Sequence, residues 1–457
     1  MGGRFVSWDR LFEWLQYYLD LFAKNPSARK IPDEEETLLL AFVRLLRNVV
    51  FYSTAARASL YENAPYAALR RTFNMSISQV DLRLKAALLD TLAAFAKPDD
   101  AGAERVQNDI WSLMSTTDLL GTGKGSIYGQ VGLQGGTTGA LYALEHTETA
   151  ERNYVSTCSL INFLSVILPS RVGGVDDYVK FVVETVFMQA ATREYNRLSD
   201  RWKVTSSCLG FLQRCLESFR VEDLLEGKKI ESQLALQPGF LVMKHLLTGS
   251  PMAKEIFTIL NTGFETLNTA RTALLTTCIK EAMRCVRRTF KIQDLFLQVL
   301  LPGLLESTHD ASRIGTPARY APLDQHLLHS HQTVVEIALY INSTSDAVAL
   351  LSTEILSQIA ASQSFAAVDR FSIAGGRKQM SRLVGLLEMS EETARVRSGY
   401  IERLQNPETL EPEDEDENGS GGPSTSLRLA ILDLLITHVS NNPPSISHLL
   451  LGYDVTG

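Results

Sequence analysis

Apolar residues recur along this chain at intervals of three and four, the spacing that places side chains on one face of an α-helix. The first such stretch covers residues 5–22, and its stripe consists of Trp8, Phe12, Leu15, Leu19 and Phe22. The pattern predicts that the chain becomes helical almost at its first residue.

A second helix is predicted after Pro32, because the acidic residues Asp33–Glu36 would fill its first turn. Negative charge is favourable there, at the positive end of the helix dipole. The apolar stripe of this helix consists of Leu38, Phe42, Leu45 and Val49. We expect this stripe to face the core.

The same spacing continues to residue 451, with interruptions rich in Gly, Pro and polar residues. It predicts further helices over residues 82–95, 154–168, 176–196, 202–219, 270–290, 292–305, 332–341, 346–360, 377–388, 427–440 and 446–451. No stretch alternates apolar and polar residues over six positions with β-branched enrichment, so we expect no sheet.

The stretch Gln237–Asn268 shows the unit from which the chain is built, a helical hairpin. Pro238 opens its first helix, and Gly249-Ser250-Pro251 ends that helix and starts the second. Ser250 is expected to be the N-cap residue whose hydroxyl accepts a backbone N–H, and Pro251 suits the first helical position. The second helix carries a wide apolar arc, formed by Met252, Ile256, Phe257, Ile259, Leu260, Phe264 and Leu267. Such an arc is covered on two sides when helix pairs stack.

Two-helix repeats take about 40–47 residues each, so a chain of 457 residues is long enough for an extended array of them. We therefore predict an all-α fold, an irregular α-helical solenoid of stacked HEAT/ARM-like helix pairs without a sheet. Neighbouring pairs in such an array shield each other's apolar faces, and grooves between them can hold short peptides.

Two long segments interrupt the helical pattern, besides a polar, Pro-containing break near His309–Pro322. Residues 121–139 are rich in glycine, which is unfavourable in helix and strand interiors, and are predicted to be a flexible insertion. Residues 408–426 contain the acidic run Glu411–Glu417 and almost no apolar residue, and are predicted to be a disordered linker. The predicted organisation is thus a solenoid segment over 1–407, the linker, and a final helical pair over 427–457.

The composition is that of a folded protein, with 45% hydrophobic and 21% charged residues. A net charge of −8 argues against nucleic acid as a direct partner, because binding to phosphates needs a basic face. No run of eighteen apolar residues is present, so a transmembrane segment is not predicted. The cysteines are scattered and odd in number, namely Cys158, Cys208, Cys215, Cys278 and Cys285, which suits a reducing compartment.

Several groups of residues resemble phosphate-binding, metal-binding or thiol sites but lack residues or spacings that such sites need. Gly121–Ser126 lacks the Gly-Lys-Ser/Thr order of a phosphate-binding loop, and no strand precedes it. The histidine cluster His326, His329 and His331 has no cysteine or carboxylate at ligand spacing. The cysteine pairs 208/215 and 278/285 lie two helical turns apart, about 10 Å, and are expected to pack in the core. We predict no catalytic residue, no cofactor and no metal, and therefore not an enzyme.

A basic stripe follows the helix predicted over residues 270–290. It consists of Lys280, Arg284, Arg287 and Lys291, with Arg288 beside it. The stripe is interpreted as a solvated helix face, with an acidic partner surface or an anionic ligand as the alternative.

Four stretches of this chain resemble one protein family in the same order along the sequence. They are FVSWDRLF at Phe5–Phe12, ALLDTLAAFAKP at Ala87–Pro98, the PGF and SPM sequences of the central hairpin, and NNPPSISHLLLGYDV at Asn441–Val455. Together they resemble the nucleoporin 192/205 family, large scaffold proteins of the nuclear pore inner ring, in a fungal-type middle segment. The two non-helical segments, 121–139 and 408–426, are not part of the family pattern.

The resemblance implies a structural scaffold of the nuclear pore complex, at the nuclear envelope, that supports pore assembly and nucleocytoplasmic transport. Its implied partners are linker nucleoporins, bound through short peptide motifs, and other inner-ring scaffold nucleoporins. If a linker peptide binds this segment, we expect Phe257, Leu260 and Phe264 to contact it, because their arc is wider than one neighbouring helix covers.

Other helical proteins are the alternatives. An importin-type karyopherin, or another helical-repeat adaptor, is also built of helix pairs, but such receptors carry tryptophans at regular positions. Here Trp8, Trp14, Trp111 and Trp202 are unevenly spaced. The related 188-type scaffold nucleoporin usually contains an inserted barrel-like domain, for which this chain has no strand-rich stretch.

Overall fold

The structure is a computed structural model that describes residues 7–24, 31–99, 102–121, 139–228, 230–270, 272–306, 311–371, 377–405, 423–441 and 444–453. The chain divides into two compact units. Unit 1 comprises Met1–Ser218 with Leu236–Pro238, and unit 2 comprises Phe219–Ala235 with Gly239–Gly457.

Unit 1 is built of α-helices with two π-helical segments, Ala143–Glu148 and Phe181–Phe187. Its α-helices are α1 (Trp8–Lys24), α2 (Asp33–Tyr52), α3 (Thr54–Glu62), α4 (Ala68–Ile77), α5 (Leu82–Phe95), α6 (Ala103–Thr116), α7 (Ala140–Tyr142), α8 (Thr149–Glu151), α9 (Val155–Ile167), α10 (Asp176–Lys180) and α11 (Leu198–Ser218). Four of these form a row in which α2 packs on α5, α5 on α9 and α9 on α11.

Helix α5 lies inside unit 1 because it is apolar on nearly all sides, as a helix with neighbours on several faces must be. Its buried residues include Leu84, Leu88, Leu92 and Phe95, and it contacts α2, α4 and α9. Asp81 caps its start by accepting a hydrogen bond from the Arg83 backbone N–H at 2.8 Å.

The apolar stripe predicted for α2 is wrong in part, because most of the buried residues are one position later in the sequence than predicted. Leu38 and Leu45 are 47% and 48% exposed, whereas the buried residues are Leu39, Phe42, Val43, Leu46 and Val50. Both sets have helical spacing, and the face that packs on α5 is the one that becomes buried.

The start of α9 is held by a buried carboxylate from the preceding π-helical segment. Glu148 is fully buried, and its Oε1 accepts hydrogen bonds from the backbone N–H groups of Ser156 and Thr157 at 2.7 and 3.1 Å. Its Oε2 accepts the Thr157 hydroxyl. Burial raises the pKa of Glu148, while these donors and the charge of Lys85 act to lower it. The carboxylate satisfies N–H groups that a helix start leaves without partners.

The glycine-rich segment begins and ends at one place in unit 1. Residues 122–138 lie outside the described residues, but a methyl group added to Gly121 would lie 2.8 Å from Gly139 Cα. The backbone N–H groups of Ala140 and Leu141 donate to the carbonyls of Leu119 and Leu120, both at 3.1 Å. The two flanks therefore contact each other directly, through backbone hydrogen bonds.

Deleting residues 122–138 is expected to change the free energy of unfolding by less than about 1 kcal/mol, because a direct Gly121–Gly139 link spans almost no distance and loop closure depends weakly on length. Urea unfolding followed by circular dichroism measures this. Replacing the segment by a Gly/Ser sequence of equal length is the control. A loss of several kcal/mol in the deletion alone would show that these residues stabilise unit 1.

Unit 2 is also mainly helical. Its α-helices are α12 (Glu231–Ala235), α13 (Pro238–Leu247), α14 (Pro251–Leu260), α15 (Gly263–Ala270), α16 (Ala273–Leu295), α17 (Leu301–Glu306), α18 (Ala311–Ile314), α19 (Leu323–Leu328), α20 (His331–Leu339), α21 (Asp346–Ala361), α22 (Arg382–Glu388), α23 (Thr393–Gln405), α24 (Pro423–Val439) and α25 (Ile446–Leu450). Its other helical elements are a π-helical segment, Phe296–Leu300, and 3₁₀ turns at Val221–Leu224, Pro317–Arg319, Tyr340–Asn342 and Gln363–Phe365.

The core of unit 2 runs along a row in which α16 packs on α21 and α21 on α24. An aromatic cluster lies at the end of α16, where the fully buried Phe296 contacts the rings of Phe219, Phe240 and Tyr320 at centroid distances of 6.2, 5.4 and 6.1 Å. Aromatic contacts of this kind add to the stabilisation from burial.

The prediction that the chain contains no sheet needs one correction. Ala367–Phe371 (β1) and Arg377–Ser381 (β2) pair as an antiparallel two-stranded hairpin, with Val368 opposite Met380. The helix predicted over 377–388 therefore begins only at Arg382. The strands are too short and irregular in pattern for the period-2 criterion to detect.

The all-α class is otherwise confirmed, and within each unit helices pack on their neighbours as they do in α-solenoids. The acidic run Glu411–Glu417 lies outside the described residues. The final long helix begins at Pro423, earlier than the predicted residue 427, with proline at its first position.

No single helix in the described ranges is both long and apolar enough to cross a membrane, although α2 and α3, bent by 118°, meet that criterion together by length and composition.

Candidate binding surfaces

The central hairpin, from which we predicted a peptide site, contains a break that the sequence pattern did not predict. The single helix expected after Pro251 is two helices, because α14 ends at Leu260 and α15 begins at Gly263. Gly263 has φ of +88°, a conformation that a side chain would strain. Pro251 takes the first position of α14 as predicted. Ser250 makes no capping hydrogen bond, and its hydroxyl lies 3.3 Å from His245 Nδ1.

Helix α20 and the turn after it satisfy the backbone groups exposed by this break. The Tyr340 hydroxyl donates to the Leu260 carbonyl at 2.8 Å, at the end of α14. Glu336 Oε2 accepts the Phe264 N–H at 3.3 Å, at the start of α15. These bonds pair groups that helix ends otherwise leave unsatisfied.

The predicted contact residues of a linker peptide lie in the core of unit 2. Leu260 is fully buried, and Phe257 and Phe264 are 7% and 6% exposed. Helices α16 and α20 pack on α14, and α20 also packs on α15. The wide apolar arc is thus covered on two sides, as stacking requires. Contact between these residues and a peptide stays a prediction, and it would require a neighbouring helix to move.

The basic stripe on α16 is partly used inside unit 2. Arg287 pairs with Glu354 of α21 at 2.6 Å. Arg288 pairs with both carboxylate oxygens of Glu222, at 2.7 and 3.1 Å, and binds the Phe219 carbonyl. Two of the arginines therefore tie α16 to its neighbours, and this stripe is not one uniformly solvated face.

The histidine and cysteine candidates lie against or within the helix core. His326 Nε2 lies 3.1 Å from the Leu247 carbonyl oxygen, against the end of α13. In the described residues, no group of three or more His, Cys, Asp or Glu side chains is arranged to hold a metal ion. All five cysteines are buried thiols outside any disulfide, as predicted. In the stretch Gly121–Ser126, which was compared with a phosphate-binding loop, residues 122–126 lie outside the described residues.

Helix α24 has apolar residues on two faces. One face is buried and contains Leu427, Ile431 and Leu434. The other contains Leu429, Leu432, Ile436 and Val439, which are between 44% and 69% exposed. The spacing of the second set is again three and four, so the sequence alone does not distinguish the two faces.

Unit 1 contains a basic cleft, which sequence analysis missed. It has a volume of about 450 Å³ and lies along the row formed by α2, α5, α9 and α11. The residues that line it are Arg44, Arg47, Asn48, Arg83, Ala86, Ala87, Asp90, Val155, Cys158, Ser159, Asn162 and Lys203. Its positively charged side chains come from helices that are far apart in the sequence, so no local sequence motif identifies the cleft.

The fold defines a class of protein in which helices pack in rows and leave clefts and side-chain patches on the surface. Comparison with known proteins gives the family. A family described as "Nuclear pore complex scaffold, nucleoporins 186/192/205" matches residues 3–457. The chain belongs to this family.

Individual relatives from distant organisms match almost the whole chain. It is 26% identical to the nuclear pore complex protein Nup205 of Homo sapiens over 99% of this chain and 23% of that protein. It is 22% identical to NUP205 of Arabidopsis thaliana, over 99% and 23% of the two chains. With the nucleoporin NUP192 of Chaetomium thermophilum the identity is 20%, over 98% and 28%. The chain thus spans about a quarter of the length of these relatives.

Proposed function

We propose that this chain is a structural part of the nuclear pore complex scaffold, at the nuclear envelope, where it holds other pore proteins in place. The observation that carries the proposal is the family match over residues 3–457, on a chain whose described residues are mostly packed helix. The relatives are named as nuclear pore complex proteins. Its work is structural rather than catalytic and supports nucleocytoplasmic transport.

The finer proposal is that it acts in the inner ring and binds short motifs of linker nucleoporins, together with other inner-ring scaffold nucleoporins. Helices packed in rows support this role, because they form a stiff surface whose clefts match the size of short peptide segments. Binding short segments lets one scaffold engage several partners at modest cost in buried area.

A pull-down with the purified chain tests this proposal. The immobilised chain is incubated with fragments that cover the pore's linker proteins and, separately, with the GTP-loaded small GTPase that binds importin-type receptors. We expect retention of at least one linker fragment and no retention of the GTPase. Retention of the GTPase without any linker fragment would instead support a transport receptor. If the folded chain retains neither, the proposal of linker binding is wrong.

A further inference from the structure

The basic cleft of unit 1 is built by stripes from neighbouring helices. Helix α5 contributes Arg83, Ala86, Ala87 and Asp90, and α9 contributes Val155, Cys158, Ser159 and Asn162. Each set has the spacing i, i+3, i+4, i+7, which is one face of a helix. Arg44 and Arg47 come from α2 on one side, and Lys203 comes from α11 on the other.

The shape of the cleft follows from the sizes of these side chains. Ala86, Ala87 and Ser159 are small and buried, so they leave a depression where larger residues would fill the space between helices. Arg44, Arg83 and Lys203 are long and exposed, and they surround the depression. A volume of about 450 Å³ lies within the range of small-ligand sites.

Charge in the cleft is strongly asymmetric. Four cationic side chains, Arg44, Arg47, Arg83 and Lys203, line it together with a single carboxylate, Asp90. This surplus of positive charge lies on a chain whose net charge is −8. A local surplus of positive charge concentrates anions at that place.

Asp90 is already engaged within the protein. It is half-buried and accepts a hydrogen bond from the Ser159 hydroxyl, and Arg47 and Lys203 are the cations that act on it. Burial raises its pKa above the ordinary value of an aspartate. Arg47 also stacks over the Phe51 ring at 5.3 Å and donates to Asn48 at 3.0 Å.

Arg44 and Arg83 are exposed cations whose pairing differs from that of Arg57 and Arg193. In the described part of the chain neither forms an ion pair, whereas Arg57 and Arg193 pair with Asp99 and Glu145. Guanidinium groups offer paired donors that match the oxygens of carboxylates and phosphates. Two such groups at the edge of a depression are suited to an anionic group that enters from outside.

We propose that this cleft binds an acidic peptide segment of a partner protein, through carboxylate or phosphoryl groups held by Arg44, Arg83 and Lys203. The proposal rests on the proposed scaffold function and specifies the chemistry of one partner. A peptide suits the cleft better than nucleic acid does, because the cleft accommodates one or two side chains. A long polyphosphate backbone would need a basic surface that extends beyond the four cations lining the cleft.

Fluorescence anisotropy with synthetic peptides tests the proposal on the whole chain. Three labelled Gly/Ser peptides carry glutamates, phosphoserines or glutamines at the same positions. We expect the first two to bind, more weakly as salt is raised, and the glutamine peptide not to bind. The relative affinities of the glutamate and phosphoserine peptides identify the preferred anion.

Matched variants separate the cleft from general surface charge. The double variant R44Q/R83Q is expected to weaken binding of the charged peptides about tenfold or more. The control R70Q/K180Q also removes two positive charges from exposed positions of unit 1, outside the cleft, and should change affinity less than about threefold. D90N removes the cleft carboxylate and should strengthen binding about two- to fivefold.

Three results would overturn the proposal. They are failure of both charged peptides to bind the folded chain, equal weakening by the two double variants, and tighter binding of duplex DNA that R44Q/R83Q abolishes. Thermal unfolding of each variant verifies folding, and D90N gives a gain of affinity that misfolding cannot produce. Because the probes are synthetic, failure here leaves the pull-down with linker fragments as a separate test of the scaffold function.

Discussion

Glu148→Ala is expected to lower the free energy of unfolding of unit 1 by about 3–5 kcal/mol. The substitution removes the acceptor of the Ser156 and Thr157 backbone N–H groups and of the Thr157 hydroxyl, all in the interior. It also leaves Lys85, which is itself buried, without the charge that acts on it. Buried donors without partners and a buried cation without its counter-charge are each costly.

Hydrogen–deuterium exchange of peptides from α9, together with urea unfolding, measures this effect. Glu151→Ala is the matched control, because this glutamate lies three residues later and is exposed. We expect it to change stability by less than about 0.5 kcal/mol. Glu148→Gln keeps an acceptor oxygen and should fall between the two. Equal stability of the Glu148→Ala and Glu151→Ala variants would show that the start of α9 does not depend on the buried carboxylate.

Phe257→Glu is expected to destabilise unit 2 by about 4 kcal/mol or more. Loss of a buried Phe ring costs about 3–5 kcal/mol, and a carboxylate placed in the same space adds its desolvation. Phe257 is 7% exposed on α14, between helices α16 and α20. Exchange in α14 peptides reports on unit 2 itself, whereas a single melting temperature describes a chain of two compact units only if both unfold in one transition.

Leu429→Glu provides the comparison, since it introduces the same side chain at a residue that is 62% exposed on α24. We expect it to change stability by less than about 0.5 kcal/mol. A Phe257→Glu protein of normal stability that no longer binds a linker fragment would contradict the core position of Phe257. That result would support the prediction that Phe257 contacts a peptide.

The helices of this protein were largely predictable from sequence, because apolar spacing of three and four determines where a helix forms. Which of two apolar stripes faces the core was not predictable on α2. Leu38 and Leu45 have the same spacing as Leu39 and Leu46, and only the position of α5 decides between them. Where two stripes have equal spacing, periodicity does not show which of them a neighbouring helix will cover.

The central hairpin shows the same limit. The sequence correctly predicted its apolar arc and the packing of other helices on two sides of that arc. The same packing buries Leu260, one of the residues predicted to contact a peptide, in the core. The break before Gly263 does have a local signal, since glycine with positive φ commonly ends helices. The basic cleft has none, because Arg44, Arg83 and Lys203 come from three helices whose packing brings them together.

Cross-linking mass spectrometry on isolated nuclear pores tests the central claim most directly, with the protein as it occurs in the pore. Exposed lysines such as Lys180, Lys203 and Lys228 provide reactive groups in both units. The scaffold account predicts cross-links from these lysines to inner-ring and linker nucleoporins, with those of Lys203 falling near acidic segments. Cross-links mainly to transport cargo and the small GTPase, with none to inner-ring proteins, would contradict it.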